Sequence, residues 1–180
     1  MTTVRPLRVL VLDDDPVDRL LAVRSLRRAF DDASFVEAGD ARSFARALED
    51  GEFDVAVTDY QLGWATGLDA LQALKSRYPD RPVVMFSGAG DQELVADAMR
   101  AGLDDYAMKS PQAGTRLPLV VQRALDAAAS RARAAGAKAR LAELMDLLDV
   151  GCYRSDARGT LVECNDAYAR AVGAGGAAAL

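Results

Sequence analysis

Near its amino terminus the chain reads Arg8-Val9-Leu10-Val11-Leu12-Asp13-Asp14-Asp15-Pro16. The unbroken apolar run in this stretch is typical of a strand that is buried on both faces. Pro16 favours the first turn of a helix, and Asp15 favours the N-cap position before it. The carboxylates therefore follow the end of a strand, at the edge where open α/β sheets bind ligands. Because like charges crowded at this edge repel one another, they require a positive partner: a lysine, a cation or protons.

The same pattern of strand followed by helix repeats along the chain. The predicted strands cover residues 8–12, 34–38, 53–58, 83–86 and 105–108. The predicted helices cover residues 16–30 and 40–49, begin again at Gly67 and after a cap at Asp91, and resume near Leu117. These alternations predict an α/β fold, a doubly wound, five-stranded parallel sheet with helices on both faces and a long C-terminal helix extension.

The composition limits which binding partners and which cellular location we expect. Hydrophobic residues make up 51% of the 180 residues, and 22 basic against 27 acidic residues give a net charge of −5. This charge, without a basic patch interleaved with aromatic residues, argues against nucleic acid as a partner. No segment approaches the roughly 18 apolar residues of a membrane span, and the first apolar run meets aspartates at once, unlike a signal peptide. We therefore expect a cytoplasmic protein whose cysteines stay reduced.

The chain contains no histidine. This excludes histidine ligands to a metal, nucleophiles activated by histidine and a phosphohistidine on this chain. Any chemistry must therefore use carboxylates, hydroxyls, lysine or bound ions.

Several polar residues directly follow predicted strands, namely Asp13, Asp14, Asp59, Ser87 and Lys109. Because the carboxyl ends of parallel strands meet at one edge of the sheet, we expect these side chains to converge. Carboxylate oxygens suit a hard cation such as Mg²⁺, and a lysine ammonium can hold a phosphoryl or carboxylate oxygen. A carboxylate in such a setting can act as a nucleophile and form an acyl phosphate.

Residues 7–128 resemble the receiver domain of two-component response regulators. Asp13 and Asp14 match the acidic pair of that family, and Asp59 matches its phosphoacceptor. The other matches are Ser87 to the switch serine or threonine, Tyr106 to the switch aromatic residue, and Lys109 to the invariant lysine.

Two departures from the family pattern affect loops near the site. The segment that begins at Asp59 resembles the signature aspartate-x-x-methionine-proline-x-x-x-glycine, but Leu62 and Gly63 replace methionine and proline. The usual proline after the invariant lysine is replaced by Ser110. The catalytic groups themselves match the family.

The resemblance implies a mechanism. A histidine kinase or a histidine phosphotransfer protein presents a phosphohistidine, and Asp59 accepts the phosphoryl group. Asp14, Asp59 and the main-chain carbonyl of Gln61 hold Mg²⁺, and Asp13 helps through water. Lys109 and Ser87 hold the phosphoryl oxygens; Ser87 then moves inward, Tyr106 follows it, and the face formed by the fourth helix, fifth strand and last helix changes shape. Such a protein is a switch with slow self-dephosphorylation more than an enzyme.

Two alternatives stand beside this interpretation. The pattern Asp13-x-Asp15-x-Val17 also resembles the nucleophile motif of haloacid-dehalogenase phosphatases, which bind Mg²⁺ through a later acidic pair. After Lys109 the next acid is Asp126, inside an alanine-rich helical pattern. A pseudo-receiver that binds partners without phosphorylation is disfavoured because every residue of the phosphorylation set is present.

The carboxyl-terminal part of the chain predicts two further segments. Residues 129–146 predict a helical linker rich in alanine and arginine, which either joins two copies as a homodimer or is a solvated helix. Residues 147–180 resemble the opening of a PAS sensor domain, with a turn at residues 156–159 between two strands and a helix led by an asparagine. A PAS fold needs more strands than these, so we expect an incomplete segment that is poorly ordered or packed against another element.

Overall fold

The computed structural model describes residues 5–88, 92–110 and 113–173. The strands are β1 (Arg8–Leu12), β2 (Ser34–Ala38), β3 (Val55–Thr58), β4 (Gln61–Leu62), β5 (Ala65–Thr66), β6 (Val83–Ser87), β7 (Asp105–Met108), β8 (Tyr153–Ser155) and β9 (Leu161–Cys164). The helices are α1 (Pro16–Arg27), α2 (Ala41–Asp50), α3 (Gly67–Arg77), α4 (Gln92–Arg100), α5 (Ala113–Leu147) and α6 (Asp166–Ala171). The chain divides into two compact units between Ala129 and Ser130.

The first unit contains a parallel sheet with the strand order β2-β1-β3-β6-β7. The predicted five-stranded, doubly wound sheet is thereby confirmed. The strand order reverses beside β1, since β2 lies on one side of it and β3 on the other. In sheets of this kind the crevice at the carboxyl ends of the strands beside that reversal is the usual ligand site.

Strand β1 is buried on both faces and fixes the two layers of the core. Its residues 9–12 are at most 1% exposed. Successive side chains point to opposite faces of a strand, so Leu10 and Leu12 pack in the cluster that includes Phe44 of α2 and Leu71 of α3. The valines of β1 pack in the other cluster, with α1 and α5. The apolar run in the sequence is thus explained by burial against helices on both sides.

Local signals in the sequence set the starts of the helices. Asp15 caps α1 and accepts hydrogen bonds from the backbone N–H groups of Val17 and Asp18. Asp40 caps α2 in a capping box with Ser43, and Gly51 ends that helix with a φ of 60°. These residues satisfy N–H and C=O groups that a helix end leaves without partners.

Some boundaries differ from those that the sequence predicts. The first helix ends at Arg27 rather than near residue 30, and the predicted loop at residues 60–66 contains a small antiparallel hairpin of β4 and β5. The last helix begins at Ala113 and contains Pro118. Leu117 in its first turns is fully buried, and this packing outweighs the one helix hydrogen bond that a proline removes. The predicted cap at Asp91 lies outside the described residues.

The second unit contains the remainder of α5, a two-stranded hairpin and α6. Strands β8 and β9 pair antiparallel, and Gly159 in the turn between them has a φ of 83°. Asn165 caps α6 through the N–H of Tyr168 and also accepts a hydrogen bond of 2.8 Å from the N–H of Cys152. The strand, turn, strand and helix follow one another in the predicted order, while the identity of this segment stays a prediction.

No helix within residues 5–88, 92–110 and 113–173 is long and apolar enough to cross a membrane.

Candidate functional site

The pairing of β1 with β3 brings two of the predicted carboxylates to the same point of the sheet edge. The main-chain N–H of Asp13 donates to the carbonyl of Ala38 at 3.2 Å, and that of Asp59 donates to the carbonyl of Leu12 at 2.9 Å. The backbone therefore holds both aspartates immediately beyond the last paired residues of their strands. This is the crevice beside the reversal of strand order.

Lys109 reaches these carboxylates from the end of β7. Its main-chain N–H donates to the carbonyl of Ser87 at 2.9 Å, and its ammonium lies 5.8 Å from the centre of the Phe86 ring. The Nζ atom donates to Oδ2 of Asp13 and to Oδ2 of Asp59, each at 2.8 Å. Residues that are 96 and 50 positions apart in the sequence thus form one charged cluster.

A third carboxylate binds the same ammonium, and no feature of the sequence identified it. Asp18 in the first turn of α1 accepts a hydrogen bond of 2.7 Å from Lys109 Nζ. Asp18 follows no strand, and an acidic residue in the first turn of a helix is ordinarily explained by the helix dipole. Only the tertiary structure reveals this contact.

Burial raises the pKa of Asp13, and it outweighs the opposing effect of the nearby ammonium. The Asp13 side chain is 4% exposed, and removing a carboxylate from water penalises its ionised form. Burial alone lowers the pKa of Lys109, but its hydrogen bonds to Asp13, Asp18 and Asp59 raise the pKa above its ordinary value. Lys109 is therefore an ammonium ion throughout the physiological range.

Asp14, which follows Asp13, and Gln61, two residues after Asp59, are both exposed. A Cβ atom on Gly63 would come within 2.8 Å of Oδ2 of Asp14. The hairpin turn therefore passes directly over the Asp14 carboxylate. Gly63 stands where the family signature has proline, and the absence of a side chain there leaves room for that carboxylate.

Gly67 closes the loop that begins at Asp59. Its N–H donates to the carbonyl of Tyr60 at 2.6 Å. A Cβ atom at this position would overlap the carbonyl oxygen of Asp59 and lie 2.8 Å from Cα of Tyr60. Backbone atoms cannot move aside cheaply, so the glycine at the end of the signature is required sterically.

Ser87 and Tyr106 lie beside the cluster on neighbouring strands. Ser87 is buried at the end of β6, and the Tyr106 hydroxyl donates to its main-chain carbonyl at 3.3 Å. Burial, together with the charge of Asp59, raises the pKa of Tyr106. Tyr106 therefore lies close enough to Asp59 for the charge of that carboxylate to act on its hydroxyl.

Trp64 lies in the same loop as Gly63. Its ring centre is 5.4 Å from that of Phe44 in α2, and its Nε1 is buried without a hydrogen-bond partner among the described residues. It is the one tryptophan of the chain. Its fluorescence will therefore report changes in the loop that follows Asp59.

The oxygen atoms at this edge of the sheet are of the chemical kind that Mg²⁺ binds. Among residues 5–88, 92–110 and 113–173 no three acidic, cysteine or histidine side chains are grouped as a metal site. Mg²⁺, however, is usually held by only one or two carboxylates together with phosphate oxygens and water. The carboxylates of Asp14 and Asp59 and the exposed hairpin backbone at Gln61 supply donors of this kind.

Comparison with known proteins agrees with this architecture. Residues 9–121 match the family model described as the response regulator receiver domain. The match covers more than half of the chain, so the chain belongs to the family of response regulator receiver domains. This confirms the expected resemblance to a receiver domain. The family model ends at residue 121, before the PAS-like segment.

Individual relatives are similar over the same region. The chemotaxis protein CheY of Pseudomonas aeruginosa is 29% identical over 57% of this chain and 84% of its own. The transcriptional regulatory protein FixJ of Bradyrhizobium diazoefficiens is 30% identical over 76% of this chain and 67% of its own. The response regulator protein PilR of Pseudomonas aeruginosa is 31% identical over 63% of this chain, which spans 25% of PilR.

Solved structures show the same fold. NtrX from Brucella abortus superposes with a TM-score of 0.66 at 32% identity, over 72% of this chain and 29% of its own. A CheY-like receiver domain protein from Methanospirillum hungatei gives a TM-score of 0.63 at 24% identity, over 70% of this chain and 98% of its own. The second likeness bears on the fold alone.

Proposed function

We propose that the chain is part of a two-component response regulator whose receiver domain accepts a phosphoryl group on Asp59. The donor is a phosphohistidine of a histidine kinase or of a histidine phosphotransfer protein. The observation that carries the proposal is the 2.8 Å contact between Lys109 Nζ and Oδ2 of Asp59. A carboxylate beside a permanent ammonium, at the ligand-binding edge of the sheet, is suited to receive an anionic group.

In the proposed transfer an oxygen of Asp59 attacks the phosphorus of the phosphohistidine. A P–O bond forms as the P–N bond breaks, and the imidazole leaves with a proton. Lys109 and the Ser87 hydroxyl hold the oxygens of the transferring group. The N–H of Tyr60, which donates to Oδ1 of Asp59 at 2.6 Å, orients the carboxylate.

Asp14, Asp59 and the main-chain carbonyl of Gln61 would hold Mg²⁺, with Asp13 acting through water. When bound, the ion neutralises negative charge on the carboxylates and on the phosphoryl oxygens. Asp13 serves the site mainly by fixing Lys109, since its Oδ2 accepts from the ammonium and its Oδ1 accepts from the N–H of Asp15 at 2.9 Å.

We further propose that phosphorylation changes the surface formed by α4, β7 and α5. Ser87 moves toward the phosphoryl oxygens, and Tyr106, whose hydroxyl donates to the Ser87 carbonyl, moves with it. New hydrogen bonds of this kind shift a population between two conformations. The output is then controlled through the helical linker and the PAS-like segment, either within one chain or in a homodimer joined by α5.

The phosphatase alternative has less support from the geometry. Asp15 serves as the helix cap, with its Oδ1 accepting from the N–H of Val17 at 2.7 Å. Asp126 lies in α5 and accepts a hydrogen bond from Gln122, one helical turn away. Neither carboxylate contributes to the cluster around Lys109.

The test is phosphorylation with acetyl phosphate and Mg²⁺, followed by intact mass, with the Trp64 fluorescence response to beryllofluoride measured in parallel. The wild type gains one phosphoryl group and its fluorescence changes, whereas Asp59→Asn shows neither effect. The matched control is Asp80→Asn, which makes the same change of net charge at an exposed position before β6, at the opposite edge of the sheet. A response of Asp59→Asn equal to that of the wild type would contradict the proposal.

A further inference from the structure

The first turn of α1 holds Asp18 in a fixed position beside the cluster. Asp15 caps this turn through the N–H groups of Val17 and Asp18. Arg19, the next residue, donates from its guanidinium to the carbonyl of Asp13 at 2.6 Å. Its Nε also donates to Glu37 at 3.1 Å, which ties α1 to β2. The contacts of Asp15 and Arg19 therefore fix the position of Asp18 relative to the end of β1.

The ammonium of Lys109 has no hydrogen-bond donor left for a further acceptor. An ammonium group has three N–H donors. Its Nζ lies 2.8 Å from Asp13, 2.7 Å from Asp18 and 2.8 Å from Asp59, each through an Oδ2 atom. An incoming phosphoryl oxygen can therefore gain a full hydrogen bond from Lys109 only if one carboxylate gives up its own.

Exposure identifies which carboxylate is released. The side chains of Asp13, Asp59 and Asp18 are 4%, 13% and 35% exposed. A buried carboxylate that loses its partner keeps the full cost of desolvation, whereas an exposed one is solvated by water. Phosphorylation of an Asp59 oxygen removes the charge of that carboxylate, so the hydrogen bond from Lys109 to Asp59 passes to the acyl phosphate that forms. Of the two carboxylates that remain, the more exposed Asp18 is the partner that Lys109 exchanges for a further phosphoryl oxygen.

Charge adds to the same effect. The carboxylate of Asp18 contacts the same ammonium that the incoming anion must contact. The two negative charges therefore come close together. Like charges at such separations repel even near a protein surface. Asp18 thus both occupies a donor and opposes the incoming group electrostatically.

We propose that Asp18 is a positioning residue that competes with the phosphoryl group for Lys109 and thereby weakens the hold of the site on that group. This inference rests on the proposed phosphorylation of Asp59. Before phosphorylation Asp18 keeps the ammonium in place, and on phosphorylation Lys109 exchanges Asp18 for a phosphoryl oxygen. The carboxylate of Asp18 is then released at the amino end of α1.

A purely structural role of Asp18 predicts the opposite result. If the residue served only to anchor Lys109, or only to stabilise the amino end of α1, removing its charge would loosen the cation and weaken anion binding. If it competes, removing the charge strengthens anion binding. The sign of the change therefore distinguishes the two roles.

The experiment is a titration with beryllofluoride in the presence of Mg²⁺, followed through Trp64 fluorescence at low and at high ionic strength. Asp18→Asn keeps the shape of the side chain but removes its charge, and it should lower the midpoint concentration roughly fivefold. The gain should shrink at high salt, because screening acts on an exposed charge. Asp18→Glu restores the charge and should return the midpoint toward that of the wild type.

The controls are Asp80→Asn and Asp59→Asn. Asp80→Asn makes the same change of net charge far from the cluster in the fold, in the turn before β6, and should leave the midpoint unchanged. An unchanged or higher midpoint in Asp18→Asn overturns the inference, as does a lower midpoint that Asp18→Glu shares. If the wild type and Asp59→Asn both fail to respond, the proposed function itself fails, which is a different result from a wild type that responds and an Asp18→Asn that matches it.

Discussion

Two lysines at opposite edges of the sheet make contrasting ion pairs. Lys75 of α3 binds Asp104 at 2.6 Å near the amino ends of β6 and β7, and it also donates to the carbonyl of Arg81. The same Asp104 oxygen accepts from the N–H of Val83 at 2.9 Å. Main-chain groups of Arg81 and Val83 therefore add hydrogen bonds to the pair of one lysine with one aspartate.

Lys109 at the carboxyl edge is surrounded by an excess of negative charge. It holds Asp13, Asp18 and Asp59 at once. The balanced pair of Lys75 with Asp104, one cation with one carboxylate, joins α3 to the residue before β7. The cluster around Lys109 keeps unneutralised charge that a cation or a proton relieves, which is a property of a binding site more than of a structural support.

The largest effect is expected from breaking the balanced pair. Lys75→Met removes the ammonium that contacts the Asp104 carboxylate, which is 7% exposed, and it should lower the free energy of unfolding by about 3 kcal/mol. Urea denaturation measures this loss. The double variant Lys75→Met/Asp104→Asn also removes the charge of Asp104 and should recover part of the loss. A loss in the double variant equal to the sum of the two single losses would contradict this account of the pair.

A smaller effect of opposite sign is expected at the unbalanced cluster. Burial raises the pKa of Asp13 in the folded state above its ordinary value of 3.8, so the ionised carboxylate costs stability at neutral pH. Asp13→Asn removes that cost and should raise the free energy of unfolding by about 1 kcal/mol at neutral pH. The same variant should accept phosphoryl groups more slowly, since Lys109 loses one of its supports.

The pH dependence of this gain has a definite sign. As the pH falls through the folded-state pKa, Asp13 in the wild type takes up a proton and the wild type recovers the lost stability. The advantage of Asp13→Asn therefore shrinks on acidification and vanishes below about pH 4. Urea unfolding of both proteins across this range measures it. An advantage that grew on acidification would mean that the folded-state pKa of Asp13 is lowered instead.

The smallest effect is expected at an exposed ion pair at the start of β7. Arg123 of α5 binds Asp105 at 2.7 Å, but the arginine side chain is 69% exposed. Exposed pairs of this kind contribute little, so Arg123→Ala should change the free energy of unfolding by less than about 0.5 kcal/mol. A loss comparable to that of Lys75→Met would show that burial is not what separates these ion pairs.

The sequence predicted well that the candidate site residues follow strands, because local patterns carry that information. The apolar run of β1 and the acids that follow it predicted both a buried strand and its edge. Asp13, Asp59 and Lys109 then converge because parallel strands share one carboxyl edge, whatever their spacing in the chain. Asp104, in contrast, reads as an ordinary loop acid and proved to be a buried partner of Lys75.

What the sequence alone determined about this protein is the sheet, the edge of the sheet where Asp13, Asp59 and Lys109 meet, and the membership of residues 9–121 in the receiver family. Only the tertiary structure decided that Asp18 contacts Lys109, that the loop after Asp59 folds into a hairpin over Asp14, and that the last helix begins at Ala113. The physical reason is that periodicity and capping act between residues close in the chain. Long side chains such as that of Lys109 choose their partners by the packing of whole elements, which no local pattern encodes.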